Sequence, residues 1–292
     1  MYFIDLSKFY GTKVLRFWCL NLNYLNLLFI QRACFATESE VLYCLKFTVL
    51  ESALNQRILL ITGWGGGAKL LQPLTHALQH NGHSVELINI FNGLDTQALQ
   101  QHAEQAKDFD VIIGWSLGGQ LATLLVEAVE QQYQQQKALI TLASNPCFVA
   151  HENWPTAMSP ATFQNFKQSF EEDAIATLKK FGFMVCQGTA TTKQDFLQLQ
   201  SLLQPQSLDL LKQGLNCLEH LNTVEILQNY TGHQLHLLAK QDFLVSYKVL
   251  DNLKALGATF LDAMLLSGSH GLPVFHVDEV TDKICQYLQK MD

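Results

Sequence analysis

From Arg57 onward, short apolar runs alternate with polar or amphipathic stretches. Ile58-Leu59-Leu60-Ile61 is a continuous apolar run ended by Thr62-Gly63-Trp64-Gly65-Gly66-Gly67, the pattern of a buried strand running into a flexible turn. A helical stretch over residues 70–80 leads through Asn81-Gly82 to a second strand predicted over 84–91. A polar helix over 96–107 leads to a third strand, Val111-Ile112-Ile113, and a further helix is predicted over 120–130. Ala138-Leu139-Ile140-Thr141-Leu142 is the fourth strand, Leu235-His236-Leu237-Leu238-Ala239 the fifth, and 259–266 the sixth. Strands apolar on both faces and separated by helices predict an α/β fold with a mostly parallel central sheet and helices on both faces.

Between the fourth and fifth strands the alternation stops for about 90 residues, too long for an ordinary loop. Ser159-Pro160 opens a helix there, a capping hydroxyl followed by proline at the first helical position. Phe163, Phe166, Phe170, Ile175 and Leu178 then follow near helical spacing, and more helices are expected over 192–203 and 207–220. The chain therefore divides into a core of residues 57–146 and 227–292, a helical insertion at 147–226, and an N-terminal extension, 1–56, of unassigned role.

Composition narrows the function classes. The 292 residues are 48% hydrophobic and 15% charged, with a net charge of -7, and 28 glutamines can wet the surface without charge. The only arginines are Arg16, Arg32 and Arg57, so the chain is poorly equipped to neutralise a phosphate backbone and nucleic-acid binding is set aside. Seven scattered cysteines (Cys19, Cys34, Cys44, Cys147, Cys186, Cys217, Cys285) form no C-x-x-C pair and no zinc-like spacing with histidine. They read as buried thiols of a reducing compartment, and a cytoplasmic protein without metal or cofactor is expected. Residues 13–36 faintly imitate a signal peptide, but Asn21, Asn23 and Asn26 interrupt the apolar run. About 14 apolar residues cannot span a bilayer that needs roughly 20. The extension is taken as peripheral, with Leu20, Tyr24 and Leu27 candidates to pack on the main domain.

The chemistry centres on Gly114-Trp115-Ser116-Leu117-Gly118-Gly119, a G-x-S-x-G pattern placed directly after a strand and before a helix. A nucleophile on such a sharp turn is forced outward at the end of the sheet, and the following helix points its amide end at developing negative charge. A serine hydroxyl is a weak nucleophile without a base, so a histidine and a carboxylate must follow in the order Ser, acid, His. His270, in the small-residue loop Ser267-Gly268-Ser269-His270-Gly271 after the last strand, is the base candidate, ahead of His276. Asp242, just after the fifth strand, is the acid candidate; Asp209, Asp251 and Asp262 fall inside predicted elements. The oxyanion donors expected are the backbone N–H groups of Leu117 and Trp64. No Lys-Ser or Lys-Thr follows the glycine run, so nucleotide binding is rejected.

These residues resemble a branch of the α/β-hydrolases, the pimeloyl-acyl-carrier protein methyl ester esterases of biotin synthesis. The likeness covers roughly residues 58–288 and rests on Gly63-Trp64-Gly65, the serine motif, Ala143-Ser144-Asn145-Pro146-Cys147-Phe148, and Trp154-Pro155. It implies an α/β-hydrolase fold with a helical cap, using Ser116, Asp242 and His270; separately, a monomer is expected. It further implies substrate contacts from Trp64, Ser116, Leu117 and His270, and from Phe166, Lys167, Gln168, Ser169 and Phe170 in the cap. The implied partner is an acyl-carrier protein bearing the ester, besides small ester substrates.

Two positions depart from that pattern. Thr62 stands where a histidine is usual, which should alter the hydrogen bonding behind the turn. No arginine follows Arg57, which leaves Lys167, Lys179 and Lys180 as candidates to stand in for the cap arginines that would hold an acidic carrier, without the bidentate fork. Alternatives are a general short-chain carboxylesterase on the same scaffold, or a catalytically silent hydrolase-like binding protein.

Overall fold

The six apolar runs form one parallel sheet in the order β2-β1-β3-β4-β5-β6, in a computed structural model described for residues 55–291. The strands are β1 (Arg57–Ile61), β2 (Ser84–Ile88), β3 (Val111–Trp115), β4 (Ala138–Leu142), β5 (Gln234–Ala239) and β6 (Leu261–Leu266). The expected packing of Leu20, Tyr24 and Leu27, and the thiols of Cys19, Cys34 and Cys44, lie outside the described residues.

Two edge strands are shorter than the sequence predicts. β2 stops at Ile88, because the Asn89 side chain then accepts from the Ile90 amide and takes over the role of the ladder. β6 begins at Leu261, after a turn through Thr259 and Phe260.

Alternation of side chains sends Leu59, Ile61 and Ile112 to one face of the sheet and Ile58, Leu60 and Ile113 to the other. Helices α1 (Gln72–His80), α2 (Thr96–Ala106) and α3 (Leu117–Tyr133) lie between the first four strands. The second and third cover the first face and α1 the second. Burying four consecutive residues of β1 with no exposed surface contributes roughly 1.5–3 kcal/mol each. That is why a central strand on this pattern needs little help from propensity.

The segment between β4 and β5 is helical: α4 (Pro160–Glu172), α5 (Ala174–Cys186), α6 (Thr192–Leu202), α7 (Leu208–His220) and α8 (Val224–Asn229). After β5 come α9 (Val249–Ala255), α10 (Leu272–Phe275) and α11 (Val277–Met291). Ser159 caps α4 as its sequence predicts, accepting from the Thr162 amide. The run from Phe163 to Leu178 is not one face of one helix, however. Asp173 leaves the helical conformation with φ -150° and caps α5 through the Ala176 amide, so Ile175 turns outward and is 83% exposed.

The helical segment is tied to the core where the chain leaves and returns. Gln120 Nε2, on α3, donates to the carbonyls of both Pro146 (2.9 Å) and Leu221 (3.1 Å), and the Thr223 amide donates to Pro146 as well. No described helix is long and apolar enough to cross a membrane. Cys147, Cys186 and Cys217 are buried free thiols, and burial pushes that of Cys186 up to about 12.

Candidate active site

Ser116 sits between the end of β3 and the start of α3 with φ 55° and ψ -121°, a conformation an L-residue holds only when its surroundings enforce it. The enforcement comes from backbone packed too closely for side chains. A Cβ on Gly114 would lie 2.0 Å from the Gly118 carbonyl oxygen, and one on Gly118 would lie 2.3 Å from that of Thr62. Both glycines of the motif are therefore required by space, not only by flexibility.

The three residues that the sequence nominates meet at this turn. His270 Nε2 is 2.9 Å from Ser116 Oγ, and His270 Nδ1 is 2.8 Å from Asp242 Oδ2, with the His270 and Asp242 side chains each 1% exposed. The other carboxylate oxygen, Oδ1, accepts from the amides of Leu244 (2.7 Å) and Val245 (2.9 Å), which fixes the carboxylate before it meets the imidazole. With the Nδ1 proton directed at Asp242, Nε2 presents its lone pair to the serine hydroxyl. The His270 main chain is held in turn, since its carbonyl accepts from Trp115 Nε1 at 2.9 Å. His276, the second histidine considered, packs against Gly268 instead. Asp209, Asp251 and Asp262 stand on α7, α9 and β6.

Among the described residues, the backbone N–H groups of Trp64 and Leu117 donate to no protein acceptor. Trp64 lies in the turn after β1, and Leu117 is the first residue of α3, whose amide end faces the serine. Thr62 is fully buried behind this turn and donates its hydroxyl to Asn89 Oδ1 at 3.0 Å.

Of the five cap residues nominated, two reach the site. Phe166 and Phe170, four apart on α4, both stand edge-on to Trp64 with ring centroids at 5.7 Å. Gln168 and Ser169 do not. The helical period turns them to solvent, where Gln168 bonds Glu172 and Ser169 bonds the Asn165 carbonyl. Lys167 is half-buried and paired with Glu219, whose carboxyl this contact holds below its usual range.

Sequence reasoning missed Phe181, whose ring lies 4.9 Å from Trp64, and Ser144, which donates to the Ser116 carbonyl at 2.7 Å. Beside Trp64 and Trp115 a cleft of about 380 Å³ is lined mainly by apolar groups, among them Leu178, Phe181, Val185 and Leu199. A serine, a base, an orienting acid and free amides beside an apolar cleft are the parts required for acyl transfer.

No protein-family model matches the chain. It is 28% identical over 247 residues to the pimeloyl-acyl-carrier protein methyl ester esterase of Shewanella woodyi, covering 81% of this chain and 95% of that protein. It is 29% identical over 250 residues to the protein of the same name from Pectobacterium atrosepticum, covering 82% and 96%. Among solved structures, a bromoperoxidase from Bacillus anthracis matches with a TM-score of 0.68 at 17% identity, over 80% of this chain and 92% of that one. The chain has the α/β-hydrolase fold and is a carboxylic ester hydrolase. Within that class, the curated relatives it resembles are the pimeloyl-acyl-carrier protein methyl ester esterases.

Proposed function

We propose that this chain hydrolyses the methyl ester of pimeloyl-acyl-carrier protein, releasing methanol and the free carboxylate in biotin synthesis. Ser116 Oγ attacks the ester carbonyl carbon while His270 Nε2 takes its proton. The tetrahedral oxyanion is met by the N–H groups of Trp64 and Leu117. The carbon–methoxy bond then breaks, and the imidazolium gives its proton to the departing methoxide. Water repeats the sequence on the acyl-enzyme, with His270 again as base, and restores the serine. Asp242 holds the imidazole in the tautomer that both steps need.

The observation that carries this reading is the buried relay Ser116–His270–Asp242, at 2.9 and 2.8 Å. The names and coverage of the relatives support the choice of ester. Residues 57–146 and 227–292 act as the catalytic core and 147–226 as the cap. Since Lys167 is engaged with Glu219, contact with an acidic carrier falls to Lys179 and Lys180, which are exposed and form no ion pair among the described residues. One chain supplies every group in the relay, so a monomer suffices, and the buried thiols suit the cytoplasm.

The test is genetic. Expression in a biotin-requiring strain that lacks its own esterase restores growth without biotin, and the Ser116→Ala variant does not. Failure by soluble protein that still hydrolyses simple esters would reduce the function to that of a general carboxylesterase. A fluorophosphonate that leaves Ser116 unlabelled in folded protein would overturn catalysis altogether.

A further inference from the structure

The two amides assigned to the oxyanion have different supports. Leu117 is fully buried and begins a core helix. Trp64 also belongs to a core turn, but its side chain is gripped by the helical segment. Its indole Nε1 donates to the Leu211 carbonyl on α7 at 2.8 Å, across 147 positions of sequence. One turn further on, Gly214 leaves the indole its place: a Cβ there would lie 2.4 Å from Trp64 Cδ1 and 3.1 Å from Nε1. The rings of Phe166, Phe170 and Phe181 close the other sides, leaving Trp64 3% exposed.

The turn itself is stitched to the same segment. Gln204 N donates to the Gly66 carbonyl at 3.1 Å, and Gln204 Oε1 accepts from the Lys69 amide at 2.9 Å. Asn89 links the layers, accepting from the Thr62 hydroxyl on Oδ1 and donating through Nδ2 to Gln206 Oε1. Gly67 lies against the same two glutamines: a Cβ there would lie 2.4 Å from Gln206 Nε2 and 3.1 Å from Gln204 Cβ.

We infer that the cap is a working part of the oxyanion hole: Gly214 and Asn89 are positioning residues that hold the Trp64 N–H in register with Leu117, and only a seated cap completes the site. This rests on the proposed role of Trp64. Neither residue touches the reacting atoms. Small movements of a donor matter because the stabilisation depends on donors fixed in advance where charge develops.

The experiment compares Gly214→Ala, Asn89→Ala and Trp64→Phe with wild type on p-nitrophenyl acetate, an ester too small to need the cap for binding. The expected result is a kcat lowered between about tenfold and a hundredfold, KM within about twofold, and affinity for a trifluoromethyl ketone lowered by the same factor as kcat/KM. A shared loss in turnover and in affinity for the tetrahedral adduct is not what simple loosening of the fold produces. Trp64→Phe keeps an aromatic ring and the backbone N–H but loses the bond to Leu211, so it decides the matter if Gly214→Ala does not fold. Folded variants with wild-type kcat would overturn the inference while leaving the proposed function standing. A wild-type protein inert toward the ester would overturn both.

Discussion

Ser144 donates its hydroxyl to the main-chain carbonyl of Ser116 at 2.7 Å, and that carbonyl also accepts from the Gly119 amide at 2.8 Å. The residue that bears the nucleophile is thus held from β4's end of the sheet as well as from its own helix. Gly119 makes the approach possible, since a Cβ there would stand 2.4 Å from Ser144 Oγ. Ser144→Ala leaves one of the two bonds in place, so it should lower stability by about 1 kcal/mol and kcat by less than about tenfold. Urea denaturation and steady-state kinetics check both numbers. A Gly119→Ala substitution should be far worse, because it drives a methyl group into Ser144.

Asp242→Asn keeps the size of the side chain and an oxygen for the Leu244 and Val245 amides, but offers His270 an amide NH2. The imidazole then turns its lone pair the wrong way. The expected outcome is a kcat lowered by roughly 10⁴ with a nearly unchanged melting temperature, measured by ester hydrolysis and calorimetry.

His236 gives a pH signature of stability that is separate from catalysis. It is fully buried on β5, with Nδ1 2.7 Å from Thr141 Oγ1 and Nε2 unpartnered among the described residues. It borders a small cavity also lined by Gln120, Thr123, Thr141, Ser144 and Thr223, none of them charged. Burial lowers its pKa from 6.5 to about 3. Between those values the unfolded chain binds a proton that the native state refuses. This contribution is therefore complete above pH 6.5 and is lost, by about 1.4 kcal/mol per pH unit, as the pH falls toward 3. Denaturant titrations of His236→Phe should show a shallower decline over that window than wild type. Parallel declines would remove His236 as the cause.

The sheet and the catalytic relay are legible in the sequence because each has a local cause. Four buried aliphatic residues in a row can only be a strand or helix interior, and the glycines after Ile61 stop the run early. Ser116, Asp242 and His270 lie within four residues of the C-terminal ends of β3, β5 and β6, where the fold delivers side chains to one rim. The seam around Trp64 has no such cause. Leu211 contributes a backbone carbonyl, and Asn89 and Gln206 meet across 117 positions, so no spacing betrays them. Gly214 does leave a trace, since a glycine inside the helical pattern of 208–220 loses about 1 kcal/mol against alanine and asks for a close neighbour. The break at Asp173 shows the converse. A carboxylate inside an apolar periodicity is equally a solvated helix residue and a cap, and only the fold, where Asp173 accepts from the Ala176 amide, decides which.

The most direct test of the central claim is the mass of methyl-pimeloyl-acyl-carrier protein after incubation with the purified chain. Hydrolysis through Ser116 predicts that each carrier loses one methyl group, with one methanol released per carrier. It also predicts that Ser116→Ala leaves the ester intact, as expected when the nucleophile of such a relay is removed and turnover falls by roughly 10⁶. A wild-type protein that is labelled at Ser116 by a fluorophosphonate, and cleaves p-nitrophenyl acetate, yet leaves the carrier-bound methyl ester untouched would contradict it.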